Sequence, residues 1–368
     1  MKIRRIELRE IRMPLVHFFE TSFGRTTVRR IVLVRVEAEG LVGWGEVTCG
    51  EGPFYNHETP ETAWHILKDF LVPWALAGEW TRAMDIAAGF RPVRGHNMAK
   101  AALENALWDI EAQQRGVPLA KLIGGTLEEI PCGVSIGIQD SVEELIERIY
   151  EELAAGYQRI KVKVKPGWDV NVLEKLRVRF PRIALMADAN SAYTLDDLTR
   201  LKEFDRFYLM MIEQPLGWDD IHDHARLARE IATPICLDES IHHAEDARKA
   251  VEASACKIIN VKLGRVGGYT EALRLNEFGR KRNVPLWCGG MLESGIGRAH
   301  NIALSSLAGF TLPGDVSASR RYWQEDIIEP EVTVTERGTI RVPQTPGLGF
   351  SPRLDLIERL TVRSEIFG

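Results

Sequence analysis

The 368-residue chain reads as an α/β protein, a TIM-like (β/α)8 barrel joined to a smaller α+β domain. Two observations predict this. Short apolar runs recur near residues 132–138, 159–164, 184–190, 209–214, 235–240, 258–263, 285–290 and 310–315, with helical periodicity between them. About eight strands alternating with helices favour a parallel barrel over a doubly wound sheet. In addition, five successive runs end in a charged residue. These are Lys163, Asp188, Glu213, Asp238 and Lys262, at steps of 25, 25, 25 and 24 residues. Catalytic groups of such barrels sit at strand C-termini.

The length exceeds one barrel, so a second domain is expected. Residues 1–125 form an N-terminal α+β capping domain, 126–320 the barrel, and 321–368 a tail returning to the cap. In the cap, Lys2–Leu15 alternates as a strand. Arg30–Glu37 and Leu41–Glu46 flank Glu39-Gly40, which predicts a hairpin with glycine supplying positive φ. Helices follow over 60–76 and Met98–Arg115, the second ending at Gly116 with Pro118 beyond. Two Gly-containing aromatic loops, Val16–Gly24 with Phe19 and Cys49–Asn56 with Tyr55, either exclude water as lids or pack under themselves.

In the barrel, Ser141 opens a helix to Ala155 with Glu144 completing a capping box. The last helix is Ser294–Leu307 and the last strand Phe310–Asp315. The tail offers two strands, Val332–Thr335 and Gly338–Val342.

Hydrophobic residues make up 45% and charged residues 27%, ordinary for a globular protein with a sizeable core. The net charge of −5 gives no footprint for nucleic acid. The five cysteines have no CxxC spacing, so neither a disulfide framework nor a thiolate zinc site is expected. Met1–Glu7 lacks a signal-peptide core, and no run approaches the roughly 18 apolar residues of a membrane span. No membrane partner is expected, and the cytoplasm is the expected location.

The second strand alternates Ile160, Val162 and Val164 with Lys161, Lys163 and Lys165. A solvated edge strand shows the same pattern, but a parallel barrel has no solvated edge. The lysines therefore aim inward and need counter-charges. Asp188, Glu213 and Asp238, on the next three strands, supply them. Each alone reads as a cap or an ion-pair partner. Together, three carboxylates on adjacent strand tips without histidine or cysteine are hard ligands suited to Mg²⁺, with Mn²⁺ as a substitute. Such a cluster repels itself unless a cation is present.

Lys163 and Lys262 lie four strands apart, on opposite sides of the mouth. That arrangement suits removal of a proton α to a carboxylate, with metal stabilising the enediolate, one lysine as base and the other returning the proton or stabilising charge. Nearby cations depress a lysine pKa, and Lys161 and Arg265 are candidates beside Lys163 and Lys262. Other signals are weaker. Gly264–Gly268 is either an anion-binding turn or a plain βα turn. Gly289–Glu293, with Gly290 and Met291, is either a backbone carboxylate site or a tight turn. His222, His224, His242 and His243 read as surface residues.

Together, Lys161-Val-Lys163, Asp188-Ala-Asn190, Ile212-Glu-Gln-Pro215, Leu237-Asp-Glu-Ser240 and Lys262 resemble the enolase superfamily, muconate-lactonizing-enzyme subgroup. Lys165–Asp169, Asn260–Gly268, Trp287–Glu293 and Leu312–Ser319 are most similar to the branch of o-succinylbenzoate synthases that double as N-acylamino acid racemases. The resemblance covers nearly the whole chain. It implies a modified (β/α)7β barrel, and Asp188, Glu213 and Asp238 as Mg²⁺ ligands. Lys163 and Lys262 become the acid/base pair, with Lys161 tuning Lys163 and contacting the substrate carboxylate. Ser135, Asn190, Arg265, Gly290, Met291, Phe19 and Tyr55 are the substrate-site candidates, and Arg265 resembles the subset in which both activities occur.

In synthase chemistry Lys163 takes the α-proton and then protonates the departing hydroxyl. In racemase chemistry the two lysines serve opposite faces. Menaquinone biosynthesis, a small carboxylate substrate and a homo-oligomer follow as expectations. Dipeptide epimerases carry Asp-x-Asp where this chain has Asp315-Val-Ser317, and mandelate-racemase relatives carry a strand-seven histidine absent here. Muconate cycloisomerase needs only the same lysines and metal, and a catalytically silent binding protein is the remote alternative.

Overall fold

A computed structural model describes residues 1–368. Its first layer is a four-stranded antiparallel sheet. In order across it run Thr361–Phe367, Ile3–Thr21, Gly24–Ala38 and Leu41–Val47. The C-terminal strand therefore returns to the N-terminal one, as expected. Glu39 and Gly40 both have positive φ, 52° and 78°, the twist a two-residue hairpin requires.

The 16–24 stretch is not a loop. The first strand shifts register between Pro14 and Phe19 and continues, with Phe19 opposite Thr26 and Thr21 opposite Gly24. The irregularity re-aims the hairpin tip. That tip reaches the barrel, where Ile138 N donates to Glu20 O at 2.9 Å and Ser22 Oγ to Asn190 O at 3.1 Å.

Helix Asn97–Gln114 packs on the sheet's inner face, with Ala102, Leu103, Ala106, Leu107 and Ile110 fully buried. Its closeness depends on two glycines. A Cβ on Gly43 or Gly45 would lie 2.0 or 1.8 Å from the carbonyl oxygens of Ala106 and Ala102. The segment expected as one helix over 60–76 contains a π-helical turn, Leu67–Leu71, between Pro60–Ile66 and Val72–Ala77.

Seven parallel strands form the barrel wall in chain order: Gly133–Ile136, Arg159–Lys163, Leu185–Asp188, Ile212–Glu213, Ile235–Leu237, Ile258–Val261 and Leu286–Cys288. The expected eighth strand, Phe310–Asp315, is reduced to isolated bridges. Phe310 pairs with Leu286 and Gly314 with Cys132. Pro313 removes a ladder donor, yet the segment still closes the wall. Asp315 N donates to Cys288 O at 2.8 Å, and Gly133 N to Gly314 O at 2.7 Å.

In the tail, Thr339–Arg341 pairs with Glu129–Pro131, but Val332–Thr335 forms no strand. Ser319 takes its backbone groups instead, Oγ accepting from Val332 N and the amide donating to Val332 O. Ser141 Oγ accepts from Glu144 N at 3.1 Å, without the reciprocal half of the expected box.

Met186, Met211, Cys236, Ile258 and Trp287 form a small apolar cluster separate from the main core. Each stands on or beside a barrel strand, so the cluster forms a dry layer beneath the strand-end charges. All five cysteines are free and buried. No helix is long and apolar enough to cross a membrane.

Buried carboxylates dock cap to barrel. Glu46 accepts from Ser294 N at 3.1 Å and Gly297 N at 2.9 Å, at the start of helix Gly295–Ser305. Glu104 Oε1 accepts from Thr270 N at 2.8 Å, Thr270 Oγ at 2.6 Å and Trp108 Nε1 at 2.8 Å, at the start of helix Tyr269–Arg282. Helix N-termini favour negative charge. Burial nevertheless pushes Glu104 up to about 7.

A carboxyl whose folded pKa is raised binds protons more tightly folded than unfolded. Its stabilising contribution is complete below the unfolded pKa and is lost as pH rises through the folded one. For Glu104 the window runs from the ordinary 4.5 to about 7, a swing on the order of 3 kcal/mol. We expect Glu104→Gln, which keeps the accepting oxygen, to fare better against wild type at pH 8 than at pH 5. Urea-unfolding midpoints at the two pH values check this.

Candidate active site

The parallel register sets the height of each charged group. Lys163 lies opposite Asp188, and Asp188 opposite Glu213. Glu213 lies opposite Cys236, which puts Asp238 two residues further toward the mouth. Lys262 follows directly on Val261 at the end of the sixth strand. Asp188, Glu213 and Asp238 thus stand on adjacent strands, each at most 1% exposed, and the three lysines are also buried.

Lys161 Nζ lies 2.7 Å from Asp315 Oδ2, 2.9 Å from Glu213 Oε2 and 3.0 Å from Asp188 Oδ2. Lys163 Nζ donates to Asp188 Oδ2 and Asn190 Oδ1, both at 2.6 Å. Lys262 Nζ donates to Asp238 Oδ2 at 2.7 Å and to Tyr55 Oη at 3.2 Å. Arg265 pairs with Asp238, and its Nε donates to Ile241 O at 2.7 Å. Asn260 Nδ2 donates to Glu213 Oε1 at 2.6 Å.

Burial opposes every charge here, and the neighbours decide the outcome. It lowers Lys163 below the ordinary lysine value, with Asp188 offsetting only part. For Lys262 burial is overridden, since Tyr55, Glu239 and Glu213 lift it above that value. Asp188 is held below the carboxylate range because Lys163 and Lys161 outweigh its desolvation. Burial and the Asp188 charge push Glu213 up.

Lys161, Lys163, Lys262, Ser135, Phe19 and Gly290 line one enclosed cavity of about 40 Å³. Met291 does not line it. Its amide donates to Glu293 Oε1 at 2.9 Å, and Leu292, with φ of 57°, lines the cavity instead. Arg265 is likewise absent from the lining, lying behind Lys262 against Asp238. Asn190 and Tyr55 face a second, outer pocket of about 410 Å³, together with Phe23, Phe54, Trp218 and Glu239. From the outer pocket Tyr55 reaches the inner charges, its Oη donating to Asp238 Oδ1 at 2.9 Å and accepting from Lys262 Nζ at 3.2 Å. The two aromatic segments meet at Phe23 and Phe54, with ring centroids 6.5 Å apart. The Gly264–Gly268 turn packs against the cap, where a Cβ on Gly268 would lie 2.2 Å from Glu104 Oε2.

Several participants were not legible beforehand. Arg159, one residue pair below Lys161, is buried and donates to Asp315 Oδ1 and Pro313 O at 2.7 and 2.8 Å. Both Arg159 and Lys161 sit over the Trp287 ring, at 4.9 and 4.8 Å. His224 is a correction, because it is fully buried rather than on the surface. Its Nε2 accepts from Leu216 N at 3.1 Å while Nδ1 donates to Asp220 O at 2.6 Å, and burial lowers it to about 4. It ties down the loop after Glu213. There Gln214 Oε1 accepts from Asp238 N at 3.0 Å. Leu216-Gly217-Trp218 gives no pattern that announces such a tie.

The comparisons agree with this geometry. Residues 144–356 match the family model "Enolase C-terminal domain-like", the class that the barrel and its ring of strand-end charges define. Residues 5–124 match "Mandelate racemase / muconate lactonizing enzyme, N-terminal domain". The chain belongs to the mandelate racemase / muconate lactonizing enzyme family of the enolase superfamily. It is 51% identical to an o-succinylbenzoate synthase of Geobacillus stearothermophilus, over 100% of this chain and 98% of that one. It is 46% identical to an N-succinylamino acid racemase of Thermus thermophilus, over 98% of each. A solved enolase-superfamily member of Listeria innocua superposes with a TM-score of 0.96 at 40% identity, covering 100% and 99%. A dipeptide epimerase of Cytophaga hutchinsonii, solved with Mg and D-Ala-L-Val, does so with a TM-score of 0.89 at 25% identity over all of both chains.

Asp315 holds two buried cations, so its removal leaves both short of a partner. Breaking a buried pair costs about 3–5 kcal/mol. We expect Asp315→Asn to cost markedly more with Arg159 present than in an Arg159→Met background. A double-mutant cycle on chemical-unfolding free energies checks this.

Proposed function

We propose that the protein is a metal-dependent enzyme that removes a proton α to a carboxylate, working as an o-succinylbenzoate synthase, an N-succinylamino acid racemase, or both. The observation carrying this is the convergence of Lys163 and Lys262 on one cavity beside three buried carboxylates on adjacent strand ends. The relatives bear both names, and both reactions share the first step.

The residues fit a hard divalent cation. Asp188, Glu213 and Asp238 offer only oxygen donors, and the nearby buried Glu239 Oε2 and Asn260 Oδ1 have no partner. In this structure lysines and Arg265 take the carboxylate oxygens, and no three acidic, histidine or cysteine side chains form a ready cation cage. Mg²⁺, or Mn²⁺ in its place, would be held by Asp188, Glu213 and Asp238, and would stabilise the negative charge developing on the substrate carboxylate.

The lysines divide the remaining work. Lys163, lowered by burial, is the better base and takes the α-proton on Nζ. Lys262, kept cationic by its neighbours, stabilises the opposite side. In dehydration the proton on Lys163 leaves with the β-hydroxyl as water when that C–O bond breaks. In racemisation Lys262 delivers a proton to the opposite face of the α-carbon. Asn190 positions Lys163, because its Nδ2 donates to Glu239 Oε1 at 3.0 Å, which turns its oxygen toward the amine. Asp315 disfavours the dipeptide-epimerase reading, since Arg159 and Lys161 take both its oxygens and residue 317 is serine. The same reading places the enzyme in the cytoplasm as a homo-oligomer without nucleic-acid partners, in menaquinone synthesis where the synthase activity dominates. Light scattering tests the assembly.

Incubated with Mg²⁺ in D₂O, the enzyme should exchange the α-proton of N-succinylamino acids, followed by NMR, and lose exchange on chelation. Lys163→Ala should abolish it, and Lys262→Ala should abolish racemisation. Exchange persisting in both variants overturns the assignment. Because the base must be neutral, kcat/KM should rise about tenfold per pH unit below the Lys163 pKa and then level.

A further inference from the structure

We propose that Arg298 selects substrates carrying a second, distal carboxylate, so that N-succinyl is preferred to N-acetyl on the same amino acid. This rests on the α-proton-abstraction reading and narrows it. Arg298 lies in the first turn of helix Gly295–Ser305, is 3% exposed, and lines the cavity that Lys161, Lys163 and Lys262 line.

Each of those lysines has a carboxylate within 2.7 Å. Arg298 has none within 4.0 Å. Its Nη1 donates to Ser317 O at 2.5 Å and more weakly to Ser317 Oγ and Ala318 O, both at 3.3 Å, and its Nη2 donates to Glu293 O at 2.9 Å, all of them neutral acceptors. Its Nε is buried without a partner. The surrounding acids are otherwise engaged. Glu293 Oε1 accepts from Met291 N and Asn301 Nδ2, Glu46 from Ser294 and Gly297, and Asp326 Oδ1 from Gly295 N. The Tyr322 ring, 5.0 Å away, softens the charge without neutralising it.

A buried cation without an anion is costly, and the missing partner is best supplied by a ligand. The reacting carboxylate belongs to the metal and lysine side, so the anion left for Arg298 is a different group. A second unmatched donor shares the wall. Ser135 Oγ lines the cavity, buried and without a partner. Arg321 donates to Ser135 O at 2.6 Å and stacks on the same Tyr322 ring as Arg298, 5.0 Å away. A carboxylate entering between strands seven and one would satisfy both donors. It would form charge-assisted bonds with the guanidinium.

The test compares N-succinyl- and N-acetyl-phenylalanine with the Mg²⁺-loaded enzyme, reading α-proton exchange in D₂O. In Arg298→Met the succinyl substrate should lose about 30-fold more kcat/KM than the acetyl one, mainly through KM. Arg298→Lys should restore part of that ratio. A purely structural role for Arg298, which also braces Glu293 and Ser317, would lower both substrates together, and an unchanged ratio overturns the proposal. Should Arg298→Met not fold, calorimetric titration of wild type with glutarate and with butyrate decides. Glutarate binding at least tenfold tighter supports the proposal, and equal binding overturns it. Absence of exchange with either substrate in wild type refutes the parent reading alone, because the titration still reports on Arg298.

Discussion

The rest of the site depends on one constraint, the need to balance charge in a dry barrel mouth. Lys161 is the clearest case. Its side chain is buried, and its ammonium is shared among Asp188, Glu213 and Asp315. Desolvating such groups costs several kcal/mol per ion, repaid only where geometry is good and remaining donors are satisfied. Parallel register supplies that geometry by placing Lys163, Asp188 and Glu213 level on consecutive strands. The apolar layer around Trp287 supplies the low dielectric that makes the attractions strong. The price is that every charged group needs a counterpart, which is why Arg159 reaches across to Asp315.

The cap supplies closure. An enclosed space of about 40 Å³ holds about one water, not a substrate. The Phe19 hairpin and the Tyr55 loop must therefore yield for a ligand to enter. Their hold is local: Glu20 O accepting from Ile138 N, Val16 N donating to Tyr322 O, Ser22 Oγ donating to Asn190 O, the partly exposed ion pairs Lys165–Glu20 and Arg25–Asp140, the Phe23–Phe54 contact, and Tyr55 Oη against Asp238 and Lys262. Elsewhere the cap is docked on the barrel through Glu46 and Glu104. Buried docking at Glu46 and Glu104, beside tips held by partly exposed ion pairs, lets the mouth open without the two layers separating.

How much of this was readable in the sequence follows from which residues carry local signals. Period-two alternation around Lys161 and Lys163, and constant spacing from Lys163 to Lys262, report strand ends directly, so the central charges were legible. Phe310–Asp315 misled because its apolar content suggested a strand while Pro313 limited it to bridges. Val332–Thr335 alternates but finds no partner strand, Val332 bonding to Ser319 and Thr335 closing a turn onto Gly338 and Thr339. His224 lies in a polar stretch, and its partners, the Asp220 carbonyl and the Leu216 amide four and eight residues earlier, are backbone groups that leave no side-chain pattern. Arg159 lies one register step from a recognised lysine, yet its partner Asp315 is 156 residues away. Long-range pairing leaves no trace in local periodicity.

The same logic separates chemistry from specificity. The lysines and carboxylates form a closed set in which each charge is answered by another, and that set is shared by reactions starting with α-proton removal. Discrimination must come from groups the set leaves unanswered. Arg265 is not one of them, since Asp238 and the Ile241 carbonyl hold it behind Lys262. Arg298 and Ser135 are, because both border the cavity with buried donors that no protein group accepts. Incomplete local satisfaction on the wall of this cavity, beside lysines that are each paired with a carboxylate, marks where a ligand completes the protein.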